Sequence, residues 1–201
     1  MQSYTQLQKE IALERELPIT ADWSAAPDFL NLIKNHCLKN KPQTIVECSS
    51  GATTVVLAQC CKLNKQGKVY SLENGEEYAR KTQDHIKDQF LESYAEIIYA
   101  PLETVNVNNK DYQWYDTRNL PKLKIDMLVI DGPPGFIQKH SRLPALPILF
   151  EQLAKDAVVF IDDAAREDEK EIVEMWLGIN QGISHEYVET ERGCSILKIN
   201  K

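Results

Sequence analysis

Four times in this chain a short apolar run ends in a carboxylate: Thr44-Ile45-Val46-Glu47, Val69-Tyr70-Ser71-Leu72-Glu73, Met127-Leu128-Val129-Ile130-Asp131 and Val158-Val159-Phe160-Ile161-Asp162-Asp163. Short runs rich in Val, Ile and Leu, without polar alternation, read as strands covered on both faces of a parallel sheet. If the strands are parallel, all four acidic ends lie along one edge. In open α/β sheets that carboxyl edge is where ligands bind.

The stretches between these runs alternate with them. Strand 44–48 precedes helix 52–63, strand 68–73 precedes helix 75–90, and strand 95–99 follows. A polar stretch over 103–122 separates these from strand 125–130, helix 143–154, strand 157–162 and helix 166–177. Segments 183–190 and 194–199, joined by Glu191-Arg192-Gly193, read as a hairpin that adds an antiparallel edge strand. Such alternation implies a doubly wound sheet with helices on both faces. Ahead of it, Leu7, Ile11, Leu13 and Leu17 suit an amphipathic helix over 1–17 that Pro18 ends, and Asp28 suits the cap of a helix to Lys39. The loop between them, with Trp23, Ser24 and Pro27, reads as a connector or a lid.

At 201 residues the chain suits one domain with a sizeable core. A net charge of −7 argues against a nucleic-acid partner, which needs clustered Lys and Arg. The apolar stretches are too short to span a bilayer, and residues 1–16 lack the apolar core of a signal peptide. Five cysteines, with one adjacent pair and no C-x-x-C, suggest reduced thiols in a cytoplasmic protein.

Chemistry concentrates at the strand ends. The turn Glu47-Cys48-Ser49-Ser50-Gly51-Ala52-Thr53-Thr54 leads from strand to helix through small residues, which lets a ligand approach backbone and helix N-terminus. Tight packing alone would also require small residues there, and neither a phosphate loop nor a G-x-G-x-x-G is present. Glu73 lies 22 positions after Gly51, a spacing suited to ribose hydroxyls, although a solvated first-turn Glu fits as well. Asp131-Gly132-Pro133-Pro134-Gly135 sets a rigid loop behind a carboxylate. Asp162 and Asp163, with Asp131 on the neighbouring strand, could hold Mg²⁺, Mn²⁺ or Ca²⁺. Alternatively, one of the pair caps the following helix and the other faces water. His140, just past the loop, is a candidate base or an exposed loop histidine. Arg142 suits an acidic substrate or a surface carboxylate, and the aromatic cluster Tyr112, Trp114, Tyr115 suits a stacking platform or, more simply, a hydrophobic anchor.

In order, E-C-S-S-G-A-T-T, S-L-E-N, I-D-M-L-V-I-D-G-P-P-G, V-V-F-I-D-D-A and G-C-S-I-L-K resemble a class I S-adenosylmethionine-dependent methyltransferase, and more narrowly its small bacterial D-G-P-P-G branch. The resemblance spans residues 28–199 and implies a Rossmann-like, seven-stranded, mostly parallel sheet with a reversed last strand. Residues 1–27 would form an N-terminal helix and connector, and 28–201 the methyltransferase domain. Carried over, Glu47, Ser49, Gly51, Thr53 and Thr54 would form the methionine-side turn. Glu73, with Asn74, would take the ribose, Ala100-Pro101-Leu102 would border the adenine, and Asp131 would sit near the methyl. The family usually has Gly where Ser49 stands.

Asp131, Asp162 and Asp163 also occupy the metal-ligand places of catechol-type O-methyltransferases, with Asp163 for the usual Asn and Pro134 for the usual general-base Lys. The resulting expectation is O-methylation of a small polar acceptor, including a sugar or glycan precursor. S-adenosyl-L-methionine would be the cofactor, with Mg²⁺ or another divalent cation as a second. The catalytic candidates are Asp131 and His140, and the metal candidates Asp131, Asp162 and Asp163. The alternative is a cofactor-binding scaffold of the same fold without turnover.

Overall fold

The computed structural model describes residues 3–179 and 181–200. In chain order the elements are α1 (Tyr4–Glu10), α2 (Pro27–Asn40), β1 (Thr44–Cys48), α3 (Ala52–Asn64), β2 (Lys68–Glu73), α4 (Glu76–Asp88) and β3 (Ala95–Tyr99). They continue with β4 (Leu102–Val107), β5 (Lys110–Tyr115), β6 (Ile125–Ile130), α5 (Ala145–Leu149), β7 (Leu153–Ile161), α6 (Glu167–Ile179), β8 (Ile183–Val188) and β9 (Cys194–Ile199).

Seven strands form one sheet in the order β3-β2-β1-β6-β7-β9-β8. All adjacent pairs from β3 to β7 are parallel, and β9 runs antiparallel to both its neighbours. The unbroken apolar runs are explained by successive side chains entering different cores. In β6, Met127 and Val129 join the cluster under α2 and α3, whereas Leu128 and Ile130 join the cluster that holds Trp176 of α6. The reversed strand is not at the edge, as the hairpin reading had it. β9 is inserted between β7 and β8, and β8 forms the edge.

Three further differences have local causes. The expected helix over 1–17 stops at Glu10, because the next residues give their main-chain groups to glutamine side chains. Gln59 Nε2 donates to the Ile11 carbonyl at 2.7 Å, and Gln89 both accepts from Arg15 N at 3.0 Å and donates to Arg15 O at 2.9 Å. Leu7, Ile11 and Leu17 are still buried, so the apolar pattern is satisfied without a continuous helix. Asp28 does not cap α2. Pro27 opens that helix, as its missing N–H permits, and Asp28 Oδ2 accepts from Glu191 N at 2.7 Å.

The expected helix 143–154 breaks up for a similar reason. Pro144 precedes a single α-turn that includes Pro147, a 3-10 turn covers Phe150–Gln152, and Leu153 already belongs to β7. The polar stretch 103–122 contains a hairpin, β4–β5, whose Asn108-Asn109 turn takes positive φ at both residues (52° and 64°). Its Tyr112, Trp114 and Tyr115 are buried in the α6-side core. They anchor the hairpin, the simpler of the two readings of this aromatic cluster. Among the described residues no helix is long and apolar enough to cross a membrane.

Trp176 is 1% exposed and donates its indole N–H to the Leu143 carbonyl at 3.0 Å, so it ties α6 to the α5 approach. Trp176→Ala should cost about 3–5 kcal/mol, the range for emptying an aromatic site. Denaturant unfolding with an unchanged slope would check this, and a loss under about 1 kcal/mol would contradict that packing role.

Candidate active site

Between β1 and β6 the sheet order reverses direction, so the loops leaving these two strands diverge and open a crevice at their carboxyl ends. The crevice is fastened at its base by the Cys48 carbonyl, which accepts from both Asp131 N (3.1 Å) and Gly132 N (2.8 Å). Gly132 allows this approach. A Cβ there would stand 2.4 Å from Tyr115 Oη and 3.1 Å from Ser49 Cβ. The D-G-P-P-G loop, the E-C-S-S-G turn and the β5 end therefore pack on one another around a residue without a side chain.

On the cofactor side, alternation along β1 turns Glu47 away from Val46 and Cys48 and under α3. Glu47 is fully buried and accepts hydrogen bonds from Thr53, from Thr54 (2.6 Å) and from Ser71 (2.7 Å). Thr54 Oγ1 in turn accepts from Gly51 N at 3.0 Å. The side chains of Glu47, Thr53 and Thr54 thus lie beneath the turn and shape it from inside. The surface of the turn is left to Ser49, Ser50 and Gly51. Ser49 adopts φ +109°, a strained value for a residue with a Cβ and the reason glycine would suit it. Gly51 has φ +144°, and a Cβ there would meet nothing within 4 Å, so the outer face of the turn is open.

Glu73 ends β2 beside this turn. Oε2 accepts from Ser50 Oγ and Oε1 from Gly75 N, both at 2.9 Å. Each carboxylate oxygen retains capacity for a further donor, as ribose hydroxyls would require. Burial raises its pKa. Ala100 N donates to Glu73 O at 2.8 Å, which brings the Ala100–Leu102 segment alongside, while Asn74 is half-buried next to Glu73. These groups fit a nucleoside laid across β1 and β2.

The reaction side differs from its sequence reading. Asp131, Asp162 and Asp163 do gather at the ends of β6 and β7, but Arg142, itself 2% exposed, inserts its guanidinium among them. Its nitrogens donate to Asp162 O (2.7 Å), Asp131 O (2.7 Å) and Asp163 Oδ2 (2.8 Å), and lie 3.7 Å from both Asp131 Oδ1 and Glu169 Oε1. Burial would lower the pKa of Arg142, yet Asp131, Asp163 and Glu169 outweigh it, and the guanidinium is held charged. Neither member of the Asp162-Asp163 pair faces water (0% and 3% exposed). The carboxylates therefore do not fit a divalent cation: the place between them holds a fixed positive charge.

Asp131 keeps 14% of its side chain exposed and alone of the three reaches the crevice. Burial first, with Asp163 and Glu47 adding to it against Arg142, pushes its pKa up to about 7. His140 is tied elsewhere. Its ring bonds Glu171 of α6 and its amide donates to Asp168 at 3.1 Å, so α6, not the crevice, positions it.

The connector before α2 is drawn over this side. Arg192 donates to Ser24 O at 3.1 Å, and Trp23 meets Phe136 edge-to-face at 6.1 Å, with both rings largely exposed. Arg166 pairs with Asp163 at 2.9 Å and stays 53% exposed. Sequence reasoning missed the burial of Arg142, although three aspartates meeting at one edge demanded a cation from somewhere. A cavity of about 870 Å³ lies at the opposite, amino-terminal end of the sheet, lined in part by Gln43, Asp126 and Val158.

Two outcomes follow from this geometry. Gly132→Ala should destabilise by about 1–3 kcal/mol through overpacking, and Tyr115→Phe should recover part of that loss. Additive effects of the two substitutions would contradict the contact. Burial raises Glu47 from 4.5 to about 7, so the folded state holds this proton more tightly than the unfolded state. The stability it contributes is full below about pH 4.5 and is lost as pH rises toward 7. Glu47→Gln should flatten that decline in denaturant unfolding across the same window; an unchanged slope would assign it to other groups.

A family model described as a methyltransferase domain matches residues 46–164, more than half of the chain. No curated protein matches the chain in sequence. Among solved structures, the O-methyltransferase TomG from Streptomyces achromogenes, in complex with S-adenosylmethionine, is similar at TM-score 0.68 with 11% identity over 98% of this chain and 87% of that one. An O-methyltransferase from Bacillus cereus in complex with S-adenosylhomocysteine gives 0.69 with 13% identity over 98% and 89%. The S-adenosylhomocysteine-bound methyltransferase PaMTH1 from Podospora anserina gives 0.69 with 11% identity over 98% and 88%. Identities this low establish the fold, while the family model reaches from Val46 through Ala164 and so contains the turn, Glu73, the D-G-P-P-G loop and the aspartate pair. The chain belongs to the methyltransferase domain family, in its class I fold.

Proposed function

We propose that this protein transfers a methyl group from S-adenosylmethionine to a hydroxyl of a small acceptor. Asp131 carries the reading: it is the edge aspartate that remains accessible, at the end of the strand next to the cofactor turn. The O-methyltransferases of like fold support oxygen as the accepting atom.

When bound, S-adenosylmethionine supplies an electrophilic methyl on a sulfonium. The chain's own residues do the rest. Glu73 accepts the ribose hydroxyls, and Ser49, Ser50 and Gly51 border the methionine side, with the N-terminus of α3 behind them. Leu102 and Asn74 flank the nucleoside. Asp131, with a pKa near neutrality, takes the proton from the acceptor hydroxyl as the in-line displacement proceeds. Trp23 and Phe136, whose exposed rings meet edge-to-face, offer an apolar border for the incoming acceptor. The five free, buried cysteines support a reducing, cytoplasmic setting.

Calorimetry with S-adenosylmethionine and S-adenosylhomocysteine tests the cofactor half. Both should bind, and Glu73→Ala should weaken binding by about 1–3 kcal/mol, the range for hydrogen bonds to a charged group. No binding of either compound would overturn the reading. In a screen of hydroxyl acceptors with radiolabelled cofactor, Asp131→Asn should lower transfer by about 10²-fold or more while cofactor affinity changes little. Cofactor binding without transfer to any acceptor would favour the scaffold reading instead.

A further inference from the structure

The edge of β6 and β7 has the acidic residues of a divalent-cation site and the geometry of something else. Three guanidinium groups converge on Asp163. Arg142 donates to its Oδ2 at 2.8 Å, Arg166 lies 2.9 Å from the same oxygen, and Arg192 lies 4.0 Å from Oδ1. Arg142 cannot swing aside cheaply, because it also donates to the main-chain carbonyls of Asp131 and Asp162, and leaving would orphan both in a buried place. A cation bound to Asp163 Oδ2 at the usual 2.0–2.6 Å would stand within roughly 5 Å of a fixed guanidinium, where like charges repel strongly in a water-poor site. The three aspartates are also not clustered as ligands. Among the described residues, the group of His, Cys, Asp and Glu whose ligand atoms lie within 4.8 Å of one another is His140, Asp168 and Glu171.

We infer that Arg142 is a built-in cation occupying the place of a divalent metal, so that this methyltransferase fold works without a metal ion at Asp131, Asp162 and Asp163. Arg142 acts as a positioning residue. It fixes the main chain at both strand ends and the charge beside Asp131, and with 2% exposure it does not touch the acceptor. A reactive hydroxyl then meets Asp131 directly, without chelation, which selects acceptors that need not offer two adjacent oxygens to a metal. The inference rests on the methyltransferase reading only in naming Asp131 as the base.

Mn²⁺ titration followed by electron paramagnetic resonance tests it, with and without S-adenosylhomocysteine. A Glu171→Gln background removes the His140 cluster from the measurement. That protein should show no saturable Mn²⁺ binding below about 1 mM, the weak end for oxygen-ligand sites. Adding Arg142→Ala and Arg166→Ala together should create one site, at least about tenfold tighter than any in the parent, and Mn²⁺ should raise the thermal midpoint of that variant. Arg142→Lys should keep the site closed, and Asp163→Asn should abolish the gained binding. One Mn²⁺ per chain in the parent, lost on Asp163→Asn, would overturn the inference, as would failure of the double variant to gain a site. If the double variant does not fold, the parent titration and the Arg142→Lys variant still decide. Since the readout is metal occupancy, its failure is separate from a failure to bind cofactor.

Discussion

A buried guanidinium holds the reactive half of this molecule together. Arg142 comes from the loop before α5 and reaches the carbonyl ends of β6 and β7, the carboxylate of Asp163 and the first turn of α6. Burying so many charges is costly, and the contacts of Arg142 with Asp163, Asp131 and Glu169 offset part of that cost, while Asp162 Oδ2, Asp163 Oδ1 and Glu169 Oε2 have no hydrogen-bond partner. Removing a single partner would leave an uncompensated buried charge, at a cost of about 3–5 kcal/mol. Asp131 is thus held from two sides, by this guanidinium and by the Cys48 carbonyl at the base of the crevice.

The cofactor half follows the same logic with neutral donors. Glu47 is a buried carboxyl whose hydroxyl partners Thr53, Thr54 and Ser71 bind β1, β2 and the start of α3 into one unit. Above it the turn presents only small residues, and Glu73 waits at the adjacent strand end. Acidic strand tips that look alike in sequence therefore have distinct physical roles. Glu47 organises the turn, Glu73 is open to further donors, Asp131 reaches the crevice, and Asp162 and Asp163 are structural partners of arginines or of the backbone.

Much of the architecture was legible because it follows from local chemistry. Apolar runs of five or six residues specify strands buried on both faces, and the spacing of the tips places them on one edge. The parts that were not legible depend on partners distant in sequence. Nothing near Ile11 to Glu16 signals that Gln59 and Gln89 will capture their main chain and end α1. Glu191-Arg192-Gly193 announces a hairpin but not that β9 will be inserted beside β7. The alternation around Tyr112 and Trp114 did contain β5, although its polar neighbours disguised it as a loop. Asp162 and Asp163 read equally well as metal ligands until Arg142 is placed in space, because a sequence shows how many charges it carries but not which of them meet.

The division of the sheet edge into a cofactor half and an arginine-filled half is tested most directly by a crystal structure of the protein with S-adenosylhomocysteine. Ribose hydroxyls should lie on Glu73, the amino-acid end along Ser49 to Gly51 and the thioether sulfur facing Asp131, with Arg142 still bonded to Asp163. A nucleoside bound away from the β1–β2 edge, or Arg142 rotated out with a cation seated between Asp131 and Asp163, would contradict that division.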